Sequence, residues 1–128
     1  MMTSVVLDDS NQDRQRHVIT QAAVQAANLL QIKGADLATI LGLSAASVSR
    51  MRQGDYQLDP ARKEWQIAVL FVRLFRSLDS IVAGREKDAI AWLNSENAAL
   101  HARPVDLLKD VAGLVHVLDY LDAVRGRI

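Results

Sequence analysis

The sequence predicts an all-α protein, and three observations carry that prediction. Its apolar residues are dominated by Ala, Val and Leu. They recur at helical spacing through most of the chain. Its glycines and prolines are few. Hydrophobic residues make up 50% of the chain and aromatics only 5%, so the expected core is aliphatic. The length of 128 residues fits one compact unit or two small, interdependent ones.

The chain is organised around residues 35–54, ADLATILGLSAASVSRMRQG. Leu37, Ala38 and Leu41 share one face of a short helix. Gly42 supplies a break that needs no Cβ, Leu43 follows as a buried plug, and Ser44 caps a second helix through its hydroxyl. Val48 and Met51 point that second helix inward. This is a helix-turn-helix layout, with small Ala38 allowing a close crossing. Ser47, Ser49, Arg50 and Gln53 are expected outward, on a small, polar, cationic face suited to a major groove. The DNA-contacting residues expected are Ser44, Ala45, Ala46, Ser47, Ser49, Arg50, Arg52 and Gln53. An ordinary helical hairpin with a glycine turn is the alternative. The small outer face and the local excess of Lys33, Arg50 and Arg52 over Asp36 favour DNA.

The remaining elements follow in order. Residues 1 to about 13 are polar and acidic and are expected to form a loose arm, with Val5, Val6 and Leu7 able to pack back as a strap. A first helix is expected from about Asp13 to Ile32, on a stripe of Val18, Ala22, Ala26, Leu29 and Leu30, with Gly34 just past its end. Asp59-Pro60 predicts a helix start, with Asp59 as cap and Pro60 at the first helical position. That helix should reach about Val82 before Gly84. Its apolar band is broad. Phe71, Leu74 and Leu78 are expected to face the C-terminal helices or a second subunit, and Arg62, Lys63, Arg73 and Arg76 a solvated face. A fifth helix should span about Arg85 to Leu93, turning Ala89, Ile90, Trp92 and Leu93 inward. Arg103-Pro104 opens a sixth. A seventh runs from about Val111 to Val124 on a stripe of Val111, Leu114, Val115, Leu118 and Leu121, ahead of a basic tail.

The formal net charge is zero, so DNA contact must come from a local patch. There are no cysteines, which excludes disulfides and thiolate metal sites. His17, His101 and His116 lack the spacing of a metal site, and His116, between two valines, is expected to be partly buried. Asp119 and Asp122 are expected on a solvated face. No phosphate loop or nucleophile arrangement is present, so neither catalysis, cofactor nor metal is expected. No apolar run approaches the ~20 residues that span a bilayer. The N-terminus lacks a basic start followed by an apolar core, so no signal peptide is expected.

The C-terminal stretch AWLNSENAALHARPVDLLKDVAGLVHVLDYLDAVRGRI resembles the toxin-binding domain of the MbcA/ParS/Xre antitoxin family. The resemblance rests on Trp92, Leu93, Asn97, Leu100, Arg103, Pro104, Leu107, Leu108, Gly113, Val117, Leu118 and Gly126, and covers roughly residues 60–128. Two departures stand out. Glu96 and Ala98 replace prolines around the loop Asn, and His101 and Ala102 replace glycines before the Arg. The resemblance implies an Xre-like helix-turn-helix bundle over residues 1–58, arm included. A connecting helix and a small toxin-binding domain would follow over residues 59–128.

It further implies an antitoxin that covers the active site of a RES-domain toxin and keeps NAD out. A homodimer within the toxin–antitoxin complex, repressing its own operator DNA in the bacterial cytoplasm, completes the expectation. Toxin contacts are expected from Asn97, His101 and Arg103 in the loop, and from Tyr120, Arg125, Gly126, Arg127 and Ile128 as a plug at the end of the chain. The alternative is a stand-alone repressor whose C-terminal half only dimerises.

Overall fold

The computed structural model describes the backbone of residues 2–127 and the side chains of residues 10–127. Among the described residues the chain forms α1 (Met2–Leu29), α2 (Gly34–Leu41), α3 (Ala45–Gln53), α4 (Lys63–Ile81), α5 (Glu86–Asn94), α6 (Pro104–Leu107) and α7 (Val111–Arg125). The all-α expectation holds. No helix among the described residues is long and apolar enough to cross a membrane.

α1 begins well before Asp13, and its early start corrects the loose arm. Its sequence contains neither Gly nor Pro, so nothing interrupts the hydrogen-bond ladder once the core-facing half has nucleated it. Val5, Val6 and Leu7, suggested as a strap, lie outside the residues whose side chains are described. The buried face of α1 is also rotated from the expected stripe. Thr20, Ala23, Ala26, Ala27 and Leu30 go inward, while Val18 and Leu29 are turned to solvent. Gly34 does not end this helix. Gln31 takes the left-handed conformation there (φ 56°), and Ile32 donates its N–H to the Ala27 carbonyl at 2.9 Å. Gly34 instead opens α2, where an added Cβ would lie 3.3 Å from Arg52 Nη1.

The turn between α2 and α3 follows the sequence reading. Gly42 is left-handed (φ 74°) and returns its N–H to Ala38. Leu43 is half-buried against the core. Ser44 caps α3, its Oγ accepting the Ser47 N–H at 3.0 Å. Leu37, Leu41, Val48 and Met51 close the core between the two helices.

α4 starts at Lys63 and not at Pro60. Asp59 Oδ1 accepts the Ala61 N–H at 3.0 Å and the Asp59 carbonyl accepts the Arg62 N–H at 3.0 Å. The Asp-Pro pair therefore builds a turn, with proline pre-set for its second position. From there α4 runs between the two halves of the chain, packing most extensively on α7 and next on α1. Ala68, Phe71, Val72, Leu74 and Leu78 are buried along it. Phe71, Leu74 and Leu78 are thus used within the chain and are not available to a second subunit.

α5 buries Ala89 and Leu93, while Ile90 and Trp92 are only half-covered. α6 is a single turn with Pro104 at its start. Asp110 caps α7 by accepting the Gly113 N–H at 2.7 Å. α7 buries Leu114, Val117, Leu118 and Leu121, so its inner face is rotated from the expected stripe. Val111, Val115 and His116 face outward. Asp122, expected on a solvated face, is half-buried and accepts the Ser77 hydroxyl at 2.9 Å. It also sits 3.7 Å from Arg73 and 3.9 Å from Arg125.

Two substitutions test this packing. A Cβ at Gly113 would stand 2.0 Å from the Leu107 carbonyl oxygen, so α6 must pass α7 at backbone distance. Gly113→Ala is expected to lower stability by about 1–3 kcal/mol in a denaturant titration, the clash outweighing alanine's better helix propensity. Ser44→Ala removes the cap of α3 and is expected to cost about 1 kcal/mol in the same measurement.

Candidate nucleic-acid and partner interfaces

The outer face of α3 is shaped by what its cap consumes. Ser44 donates its hydroxyl to Ser47 Oγ at 3.0 Å, and Arg50 Nη2 donates to the same Ser47 oxygen at 3.2 Å. Ser47 is buried, which corrects its expected outward position. Its hydroxyl serves the first turn and orients Arg50. The guanidinium of Arg50 also lies 6.0 Å from the Tyr56 ring centroid, within cation–π range. Arg50 is therefore exposed yet held at two points, an arrangement that leaves its guanidinium less conformational entropy to lose in any further contact.

Arg52 is tied elsewhere. Its Nη2 donates to the Ile32 carbonyl at 2.8 Å, satisfying backbone just beyond the end of α1. It is exposed on its remaining edges but serves first to fasten α3 to α1. Ala45, Ala46, Ser49 and Gln53 are exposed, as expected. Ala45, Ser49, Arg52 and Gln53 line a shallow concavity of about 370 Å³ together with Gly34 and Ala35. The start of α2 is thus part of the same surface, with exposed Lys33 beside it. Gly34 and Ala35 were missed in the sequence reading. The signal available was two small residues directly after a lysine, at the N-terminus of a helix that crosses the reading helix.

The residues expected to meet a protein partner fall in two places. In the α5–α6 loop, Asn97 pairs with Ala102 across an isolated β-bridge, its N–H reaching the Ala102 carbonyl at 3.0 Å. Its side-chain Oδ1 accepts the Leu100 N–H at 3.1 Å. Asn97 therefore shapes the loop from inside. His101 sits at its tip, exposed, with φ 58°. That left-handed backbone explains why glycine suits this part of the loop, and histidine tolerates it better than most side chains. Arg103 grips Asp106 with Nε and Nη2 at 3.0 and 3.1 Å. This hydrogen bond, aided by the charge of Arg103, holds the Asp106 carboxyl below the usual carboxylate range and raises the guanidinium further.

Tyr120 stacks on Trp92, their rings 6.2 Å apart and 13° from parallel. The half-buried pair ties α5 to α7. Arg125 is exposed near Asp122, and Gly126 and Arg127 continue past the end of α7 with their surfaces open. Ile128 lies outside the described residues. A further ion pair, Lys109 to Asp36 at 3.5 Å, crosses from the α6–α7 corner to the first turn of α2.

Comparison with known families matches both halves. Residues 11–73 match the antitoxin Xre-like helix-turn-helix domain. Residues 77–127 match the antitoxin Xre/MbcA/ParS C-terminal toxin-binding domain. No curated protein matches the chain. Neither matched domain is catalytic, which agrees with the absence of a nucleophile or acid–base arrangement in the sequence reading. With a helix-turn-helix domain and a toxin-binding domain side by side over most of its length, the chain belongs to the Xre/MbcA/ParS family of toxin–antitoxin antitoxins.

Proposed function

We propose that this antitoxin neutralises a RES-domain toxin that degrades NAD, and that it does so by covering the toxin's active site. The same chain, as a homodimer in the bacterial cytoplasm, binds its operator DNA and represses its own operon. The observation that carries this reading is the fusion itself: a groove-reading fold and a toxin-binding fold share α4 as a common wall.

On the DNA side, the reading surface comprises Ala45, Ala46, Ser49, Arg50 and Gln53, with Ser44 and Ser47 supporting its first turn. Arg52 adds charge at the rim. Small side chains let the helix approach base edges, and Arg50 supplies the fork-shaped donor that guanine accepts. A nine-residue reading helix gives limited contact on its own, so a two-fold pair on a symmetric operator is the expected form. On the toxin side, His101 and Arg103 present the α5–α6 loop and Asn97 sets its shape. Tyr120 braces α7, Arg125, Gly126 and Arg127 continue from its end, and Ile128, outside the described residues, completes the proposed plug. Arginine side chains there suit carboxylates in a cleft.

The deciding experiment expresses the neighbouring toxin gene with and without this chain and measures cellular NAD and growth. NAD should fall without the chain and stay normal with it, and the two proteins should co-purify. Unchanged NAD in both cases would overturn the RES reading. Arg50→Ala is expected to weaken operator binding by about 1–3 kcal/mol in a fluorescence titration, with a smaller loss on unrelated DNA. Removing residues 125–128 is expected to weaken inhibition of the toxin while leaving operator binding intact. Undiminished inhibition in a titration of toxin activity would exclude the plug.

A further inference from the structure

α1 carries a row of polar side chains beside the reading helix. His17, Gln21, Gln25 and Asn28 follow one another at spacings of four, four and three, which puts them on one face of the helix, and all four are exposed. Gln21 and Gln25 line a cleft of about 300 Å³ between α1 and the last turn of α3. Gln53 stands on its other side and also lines the concavity on the reading face, so the row and the reading face adjoin. His17 is engaged, with its Nδ1 3.4 Å from the Gln57 amide nitrogen. Gln21 and Gln25 keep their amides at the surface.

Charge indicates what lies against the row. Between Arg14 and Gly54 the chain carries five Lys or Arg side chains and one carboxylate, although its overall net charge is zero. That carboxylate, Asp36, faces Lys109 at 3.5 Å. The other fourteen lie outside this stretch. Glu86, Asp88 and Asp119 show where such groups go, onto the exposed faces of α5 and α7. By contrast α1 beyond Asp13 has none, and neither has α3. No carboxylate lines the cleft, Asp55 just past α3 included.

A surface cleared of negative charge and furnished with amide N–H donors matches a polyanion held partly by neutral hydrogen bonds. A protein partner offers both signs of charge and gives no reason to clear carboxylates from two adjoining elements. The duplex that α3 would read is such a polyanion, and its strands border the groove.

We propose that Gln21 and Gln25 donate to the sugar–phosphate backbone of DNA beside the groove that α3 enters, making α1 a second contact on the same duplex that is blind to sequence. The inference rests on the DNA-binding reading above and adds a site to it. Uncharged donors give this contact its own signature. They add affinity on any sequence without replacing counterions, so they leave the salt dependence of binding unchanged.

The test measures binding of the full chain by fluorescence anisotropy over a series of salt concentrations. One duplex comes from immediately upstream of the chain's own gene, and the other is unrelated and of equal length. Alanine is the best helix former, so Gln21→Ala/Gln25→Ala should keep α1 intact. It is expected to weaken binding about tenfold on both duplexes, with the slope of log K against log salt unchanged. Gln21→Lys should strengthen binding to both and steepen that slope by about 0.9 for each chain bound. It decides the matter if the alanine variant unfolds. Undiminished affinity of the alanine variant, a loss confined to the upstream duplex, or an unchanged slope with lysine would each overturn the proposal. So would a change in sedimentation of the DNA-free alanine variant, which would make the row a contact between copies of the chain. Binding that falls with Arg50→Ala but not with the amide variant overturns this inference alone. An unaltered chain that binds neither duplex removes the DNA reading with it.

Discussion

The structure depends on α4 being apolar on more than one side. Phe71, Leu74 and Leu78 are essentially inaccessible to water, and Ala68 and Val72 are buried beside them. A helix at the surface of a small domain needs one stripe. This one is a wall with α1 on one side and α7 on another, and α2 touches it as well. Neither half of the chain could bury its own apolar surface without this helix. Removing either would leave a strip of α4 exposed to water. The coupling is covalent and hydrophobic first, and polar second. The Asp122 contacts to Ser77 and Arg73 fix the register of α7 on α4, and the Lys109–Asp36 pair adds a half-exposed contact worth little on its own.

The same economy governs the reading helix. Its first turn spends two serine hydroxyls on capping and on holding Arg50, leaving alanines at the tip. The result is a thin helix end that presents small side chains beside an arginine held at two points. Tyr56, beyond the helix, completes the support from a loop that carries no obvious signal of its own.

Much of this was legible in the residues. Gly42, Ser44, Val48 and Met51 each do what their chemistry demands at that spacing, because capping and turn conformation are local. Both family resemblances stand for the same reason, since motif residues such as Pro104 and Gly113 carry local constraints. What escaped was set by partners distant in sequence. Asp59-Pro60 is equally good as a helix start or a turn, and where α4 begins to find neighbours decides between them. α7 carries two overlapping stripes, one through Val111 and Val115 and one through Val117. Only the position of α4 selects the second. Val18 fits the α1 stripe by count, yet the inward direction is set by Ala23 and Ala27, whose small size permits closer approach. Ser47 looked like an outward hydroxyl because the bond it shares with Ser44 and Arg50 is visible only in three dimensions.

The Trp92–Tyr120 stack has a practical corollary. The chain holds two tryptophans, Trp92 in the toxin-binding match and Trp65 in the helix-turn-helix match. Each indole has distinct surroundings, one against a phenol ring and the other beside the aliphatic side chains of Val18, Ile19 and Val69. The polypeptide thus comes with one intrinsic optical label on the shared wall itself and another beyond it on α5, and light emission can report on these two surroundings without attaching a dye.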